Sequence, residues 1–84
     1  MKLIVFSVYD EKAKIFHQPF YFNQRGEAVR TFQDLVQDQK SVISKHPEDY
    51  KLYQLGTYDD NTGNIVSLPQ PEFINHGSDF LCKV

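Results

Sequence analysis

The sequence predicts a small α+β domain of ββαββ order, in which two hairpins form a four-stranded antiparallel sheet and one amphipathic helix covers one face. Apolar extended runs near both ends are typical of strands, and the central segment repeats its apolar residues at helical spacing. The segments VYDEKAKIFHQP and TYDDNTGNIVSLP share a Tyr-Asp, turn and Ile-led pattern that ends in Pro. With 84 residues, the chain has room for one domain with a modest core.

The first predicted hairpin precedes the helix. KLIVFSVYD, residues 2–10, carries apolar side chains on both faces of an extended chain, which indicates a central strand. The polar reversal DEKAK leads into a second strand, IFHQPFYF. Because Pro19 has no backbone donor for a ladder, we expect this second strand to lie at a sheet edge or to be interrupted there.

The helix is predicted within NQRGEAVRTFQDLVQDQK, residues 23–40. Its apolar positions recur at three- and four-residue steps and form one stripe: Ala28 or Val29, Phe32, Leu35 and Val36. We expect Asn23 to be the N-cap and Glu27 to lie near the positive end of the helix dipole. The following SVISKHPED predicts a short helical turn that Pro47 ends.

The second predicted hairpin consists of a strand over about residues 50–58, a turn over residues 60–63 and a strand over about residues 64–68. If the four strands pair in the spatial order second, first, third, fourth, every neighbour is antiparallel and the helix covers one face. The other face is then exposed, unless the tail or a second copy of the chain covers it.

Two prolines define the predicted end of the domain. Pro69 and Pro71 are expected to end the last strand. We therefore assign residues 1–71 to a single ββαββ domain and residues 72–84 to a C-terminal tail, which is either docked on the domain or partly disordered.

Composition excludes several classes of protein. The net charge of −2 does not indicate nucleic-acid binding. Residues 1–58 nevertheless carry eight Lys and Arg against seven Asp and Glu, which permits a local basic patch. A single cysteine, Cys82, cannot form an internal disulfide and points to a reducing compartment. No segment approaches the about 18 to 20 apolar residues that span a bilayer, so we expect no membrane association.

Candidate catalytic and metal-binding residues have ordinary explanations. His46, Glu48 and Asp49 lack a recognised metal-ligand spacing and are interpreted as part of a turn. Asp59 and Asp60 begin like a calcium loop, but the terminal Glu of such a loop is missing. No nucleophile or phosphate-binding motif is present. We therefore predict no enzyme, no metal and no cofactor; a metal-dependent enzyme that uses His46, Glu48 and Asp59 is the remaining alternative.

The candidate functional surface combines aromatic and basic residues. Its members are Arg25, Arg30, Lys45, Tyr50, Lys51, Tyr53 and Tyr58, with Lys12, Lys14 and Phe20–Phe22 nearby. Unpaired bases stack on such rings while cations meet phosphates, which suggests single-stranded DNA as a ligand. An open aromatic face equally suits pairing with a second copy. For each ring taken singly, the competing interpretation is that it fills a core that has no Trp.

Three stretches carry a family resemblance: VFSVYDEKAKIF, PFYFNQRGEAVRTFQDLVQD and HPEDYKLYQLGTYDDNTGNI. Within them, the most specific residues are Gly26-Glu27-Ala28 with Arg30 and Phe32, then His46-Pro47-Glu48-Asp49-Tyr50, then Leu55-Gly56-Thr57-Tyr58-Asp59. The chain resembles, over residues 5–68, the small nonstructural protein of gokushoviruses, which are Microviridae phages with circular single-stranded DNA genomes.

The resemblance implies a non-capsid product in the cytoplasm of the bacterial host, with a role in viral DNA replication or in single-strand genome synthesis and packaging. It supplies no catalytic motif. The leading interpretation is a non-enzymatic phage accessory protein, a homodimer, that binds single-stranded DNA or the replication machinery. The alternative is a protein-interaction module that modulates the replication initiator or a host replication protein without contacting nucleic acid.

Overall fold

The structure is a computed structural model, and it describes residues 1–80. Its elements in chain order are β1 (Lys2–Asp10), β2 (Ile15–Phe16), β3 (Phe20–Phe22), α1 (Arg25–Gln37), α2 (Val42–Lys45), a 3₁₀ turn (Pro47–Asp49), β4 (Tyr50–Asp59), β5 (Ile65–His76) and a second 3₁₀ turn (Gly77–Phe80).

All strands belong to one antiparallel sheet with the order β2-β1-β4-β5, and β3 also pairs with β1. The predicted fold class and the predicted spatial order are therefore confirmed. The sheet has five strands rather than four, because the expected second strand is divided into β2 and β3 around Pro19. Both parts lie on the side of β1 that does not pair with β4.

Ser7 bridges the gap between β2 and β3. Its hydroxyl donates to the carbonyl oxygen of His17 at 2.7 Å, and the amide of His17 donates to the carbonyl oxygen of Val8 at 2.8 Å. Since Ser7 is fully buried, its hydroxyl needs an acceptor inside the protein. The prediction that the second strand lies at an edge and is interrupted at Pro19 is thus confirmed in both respects.

The core lies between the sheet and α1. Its buried apolar members are Phe6, Val8, Ala28, Phe32, Val36, Ile43, Tyr50 and Leu52. Phe6, Phe32 and Leu52 are the largest apolar side chains without solvent exposure, and they come from β1, α1 and β4. The predicted apolar stripe of the helix is confirmed, because Ala28, Phe32 and Val36 are its buried residues.

The start of α1 corrects one prediction. Gln24, not Asn23, is the N-cap, and no side chain caps the helix there. The chain leaves β3 at Phe22, and Gln24 is the last residue with extended backbone angles before the helix begins. Glu27 lies in the first turn as expected.

β5 corrects the prediction that Pro69 and Pro71 end the last strand. The strand continues through both prolines to His76 and crosses the boundary expected at residue 71. Between the pairs Gln54–Glu72 and Gly56–Ser67, β4 has one intervening residue and β5 has four, so β5 makes an excursion from the ladder. The prolines lie in this excursion of an edge strand, where no ladder donor is required of them.

The segment after β5 packs on the domain. The second 3₁₀ turn contacts α1, and the rings of Phe80 and Phe32 lie 6.0 Å apart, edge to face. Of the two predicted states of the tail, docked or partly disordered, the structure shows the docked one as far as Phe80. The rest of that tail, residues 81–84 with Cys82, lies outside the described residues.

Gly56 is required where β4 approaches β5. A Cβ at this position would lie 2.1 Å from the carbonyl oxygen of Val66, whereas a Cβ at Gly26 in α1 meets nothing within 4 Å. We expect Gly56→Ala to lower the free energy of unfolding by about 1–3 kcal/mol, as overpacking does. Gly26→Ala should raise it by up to about 1 kcal/mol, because Ala is the better helix former. Urea denaturation of both variants measures this; a Gly56→Ala protein as stable as the parent would contradict the close approach.

The hydroxyl of Ser7 provides a second test of the fold. We expect Ser7→Ala to lower the free energy of unfolding by about 1 kcal/mol, since the carbonyl of His17 loses its buried donor. The exposed Ser67→Ala is the matched control, with an expected change within about 0.5 kcal/mol. Equal urea midpoints for the two variants would show that Ser7 does not support the interrupted edge.

Candidate nucleic-acid and partner interface

The face of the sheet that points away from α1 is called the open face here. Side chains alternate along a strand, so that Phe6 and Val8 face the core while Ser7 and Tyr9 face the other way. The register then aligns Phe16, Tyr9, Lys51 and His76 in one row across β2, β1, β4 and β5. The next row contains Ser7, Tyr53 and Phe73.

Five rings on the open face form an aromatic cluster: Tyr9, Phe16, Tyr53, Phe73 and His76. The ring centroids are 4.7 Å apart for Tyr9 and Phe16, and 5.5 Å apart for Phe16 and Tyr53. They are 5.8 Å apart for Tyr53 and Phe73, and 4.7 Å apart for Phe73 and His76. Phe16 and Phe73 keep 39% and 44% of their surface exposed, so the cluster is accessible to a ligand.

An irregularity in β5 places Phe73 in this cluster. Tyr53 pairs with Phe73 while the preceding Leu52 pairs with Asn75, so Ile74 has no partner in the ladder. Ile74 packs against the core and Phe73 stays on the open face. A bulge of this kind redirects side chains that simple alternation would place on opposite faces. The excursion of β5 adds Gln70 and Pro71, which line a shallow depression together with rings of the cluster.

Lys51 lies within the aromatic row and is held by an ion pair. Its Nζ is 2.6 Å from Oε1 of Glu11, with the two side chains 20% and 48% exposed. The backbone positions Glu11, because its amide donates to the carbonyl oxygen of Asp49 at 2.8 Å. The hydrogen bond and charge of Lys51 lower the pKa of Glu11, and the hydrogen bond to Glu11 raises the pKa of Lys51.

The turn between β1 and β2 brings two further lysines to the edge of the cluster. The carboxylate of Asp10 accepts hydrogen bonds from the amides of Lys12 and Ala13 at 3.0 and 3.2 Å, and Lys14 has a positive φ of 57°. Lys12 and Lys14 are exposed and line a depression together with Tyr9. Neither lysine forms an ion pair with any of residues 1–80. The same depression is also lined by the carboxylates of Glu11 and Asp49.

The residues predicted from the sequence to form one functional surface lie in different parts of the fold. Lys51, Tyr53 and Tyr58 lie on the open face, where the rings of Tyr58 and Tyr21 are 5.8 Å apart. Tyr50 is only 6% exposed and belongs to the core, so its placement on the candidate surface is wrong. Tyr50 and Leu52 share the helix-facing side of β4. Burial is the main cause that raises the pKa of the Tyr50 hydroxyl, and the negative charges of Asp10 and Asp49 raise it further.

The predicted cations on the helices lie on the other layer. Arg25 at the start of α1 pairs with Glu72 and donates to Oε1 of Gln54 at 2.9 Å. Arg30 is on α1 and Lys45 is on α2, both exposed. Because the sheet separates these residues from the aromatic cluster, Arg25, Arg30 and Lys45 do not form one surface with Tyr53.

Sequence reasoning missed four members of the cluster as functional candidates: Tyr9, Phe16, Phe73 and His76. The alternation of β1 already placed Tyr9 opposite the core-facing residues, so a signal for it existed. Phe73 and His76 had no usable signal, because the strand was expected to stop before Pro69.

The possible metal ligands are only partly brought together. One ligand atom each from His46, Glu48 and Asp49 lies within 4.8 Å of the others, in an exposed group that shares a depression with Lys12. Asp59 lies at the opposite end of β4, about 30 Å away at the rise of a strand. The structure therefore does not assemble the site of His46, Glu48 and Asp59 that the alternative enzyme requires.

None of the helices within residues 1–80 combines the length and the apolar character needed to cross a membrane.

These features define a small α+β protein that covers one face of its sheet with a helix and presents aromatic side chains on the other. The chain belongs to the Phage ORF5 protein family, whose model matches residues 3–80. It is similar to Protein ORF5 of Chlamydia phage 1, with 30% identity over 87 residues, 96% of this chain and 91% of that protein. No solved structure matches the chain. The resemblance to a gokushovirus protein is thereby confirmed.

The ion pair of Glu11 and Lys51 predicts a pH dependence. The folded pKa of Glu11 lies below its ordinary value of 4.5, so the pair stabilises the fold above about pH 4.5. This contribution is lost as the pH falls through the folded pKa. We expect a carboxyl NMR titration of Glu11 with a midpoint below 4.5 that Lys51→Met shifts upward and Lys40→Met leaves unchanged. An identical midpoint in all three proteins would contradict the pair.

Proposed function

We propose that this chain is a non-enzymatic phage accessory protein that assists viral DNA replication or single-strand genome synthesis and packaging in the host cytoplasm. On this proposal, the open face binds single-stranded DNA. The observation that carries the proposal is the exposed aromatic cluster beside two lysines without ion-pair partners in the described chain. Membership of a phage protein family is consistent with a role in the viral cycle.

The aromatic cluster offers stacking positions for unpaired bases. Phe16 and Phe73 are exposed, and Tyr53 lies beside both of them. Tyr9 packs beside Phe16 and Tyr53. Base stacking on such rings is worth about 1–3 kcal/mol per base and tolerates any sequence. We therefore expect a preference for single strands over duplexes, whose bases are already stacked.

The charges near the cluster set the expected strength of binding. Lys12 and Lys14 are available for phosphates, whereas Lys51 must first exchange Glu11 for a phosphate. Two or three phosphate contacts on single-stranded DNA give a slope of log K against log salt of about −1.4 to −2.1. The net charge of −2 further weakens association, so binding should be moderate and most visible at low salt.

The test is fluorescence anisotropy with a labelled single-stranded oligonucleotide at low salt. We expect Phe16→Leu and Phe73→Leu each to weaken binding by roughly 5-fold or more, because the apolar volume stays while the stacking ring is lost. Binding that is absent at high micromolar protein, or unchanged in both variants, would contradict the proposal.

Two double variants that remove the same charge distinguish phosphate contacts at Lys12 and Lys14 from a general effect of net charge. Lys12→Ala with Lys14→Ala should reduce the salt slope by roughly 1 to 1.5. Lys40→Ala with Lys45→Ala removes the same charge from the helical layer and should leave the slope unchanged. Equal effects of both double variants would argue against the open face as the DNA site.

The second candidate function is a protein-interaction module, a homodimer that modulates the replication initiator or a host replication protein without nucleic-acid contact. Ile65 and Val66 favour it, since they keep 61% and 64% of their surface exposed on the outermost strand. A pull-down from infected cells with nuclease treatment distinguishes the candidates, because a partner that persists after nuclease supports the module and one that vanishes supports DNA binding.

A further inference from the structure

The outer edge of β5 is an unpaired strand in the described part of the chain. β5 is the last strand in the sheet order, and β4 pairs with its other side. A strand in this position presents a row of backbone donors and acceptors that another strand can satisfy. The first part of β5, Ile65–Leu68, is the segment of interest, because Pro69 follows it directly.

The two edges of the sheet differ in their protection. The edge formed by β2 and β3 has strands of two and three residues with Pro19 between them, which are common devices against edge pairing. Along β5, by contrast, residues 65–70 include no charged side chain. The edge therefore has neither charge nor proline until Pro69, and nothing within its first four residues repels another strand.

The side chains of this segment are also uncovered. Ile65 pairs with Tyr58 on the open face, and Val66 pairs with Thr57 on the side of the sheet that carries α1. Their exposed fractions of 61% and 64% mean that both faces of the strand leave β-branched side chains in solvent. A neighbouring strand would cover both at once.

The hairpin fixes which backbone groups point outward. The amide of Asp59 donates to the carbonyl oxygen of Asn64 at 2.9 Å. Since hydrogen-bonded and non-hydrogen-bonded pairs alternate in an antiparallel ladder, Val66 is bonded to β4, and Ile65 and Ser67 direct their backbone groups outward.

We propose that the edge Ile65–Leu68 pairs antiparallel with the same edge of a second copy of this chain, with the two-fold axis at Val66. Ile65 of each copy then pairs with Ser67 of the other, and Val66 lies opposite its own equivalent. An uncharged antiparallel segment is complementary to itself under a two-fold axis, and the contact closes as a dimer. This favours a second copy over a foreign strand.

The paired sheets would form one continuous sheet with both helical layers on one side and both aromatic clusters on the other. This inference specifies the interface for the second candidate function, and it also lengthens the surface available to single-stranded DNA. The contact involves only about four residues per copy, so the dimer is expected to be weak in the absence of a bridging ligand.

Cross-linking tests the register. In an antiparallel pair without hydrogen bonds, the Cα atoms are about 4.5 Å apart, which suits a disulfide. We expect Val66→Cys in a Cys82→Ser background to form a disulfide dimer at least 10-fold faster than Val42→Cys in the same background, at about 100 µM protein. Val42 is the matched control, because it is also 64% exposed but lies on α2. Equal or slower cross-linking of Val66→Cys overturns the proposal.

Sedimentation of the full chain over a range of concentrations provides a second, reagent-free measurement. The parent and Val42→Lys should show the same rise of mean mass above the 9.8 kDa monomer, and Val66→Lys should abolish that rise. A monomer at every concentration up to about 1 mM, or equal association of the two lysine variants, overturns the proposal. Because neither assay contains DNA, the two proposals can fail separately. A protein that cross-links at Val66 but binds no oligonucleotide contradicts the proposed DNA binding and supports the proposed dimer.

Discussion

The pairing of β1 with β4 determines which side chains reach each face of the sheet. It runs from Lys2 with Asp59 to Asp10 with Tyr50 and occupies the middle of the sheet. Because side chains alternate along both strands, this one register sends Phe6 and Leu52 into the core and leaves the aromatic residues on the opposite face. A slip of one residue would exchange the two faces and destroy both the core and the open face.

The chain supplies only one long helix to this sheet, and this shortage explains the open face. The 13 residues of α1 cover the core side, and the short helical segments that follow extend the same layer. The side chains that remain on the other face are mainly rings, which bury part of their surface against one another. Phe16 and Phe73 nevertheless stay about two-fifths exposed, so the face retains apolar area in contact with solvent.

The sequence predicted most of this arrangement, because its strongest signals are local. The alternation of β1, the helical spacing around Phe32 and the missing donor of Pro19 each specify an element without tertiary information. The end of β5 was not predictable in the same way. An edge strand can continue through proline where no ladder donor is needed, and the excursion of β5 that removes this need depends on its pairing with β4.

The candidate site was predicted less well than the fold. Lys51, Tyr53 and Tyr58 share one face of the sheet, but Tyr50 is in the core and the cations of α1 and α2 lie on the opposite layer. Alternation along β4 alone places Tyr50 on the face opposite to Lys51 and Tyr53. Tyr58 shares the face of Tyr53 only because of a bulge around residue 55, which no local sequence pattern predicts.

An NMR titration of the isotope-labelled protein with a short single-stranded oligonucleotide at low salt shows directly which face of the sheet binds DNA. We expect the shift changes to concentrate on the open face, at Tyr9, Phe16, Tyr53 and Phe73 and at the turn with Lys12 and Lys14. The exposed residues of α1, such as Arg30 and Asp34, should change little. Changes confined to the helical layer, or none at millimolar oligonucleotide, would contradict the claim that the open face binds single-stranded DNA.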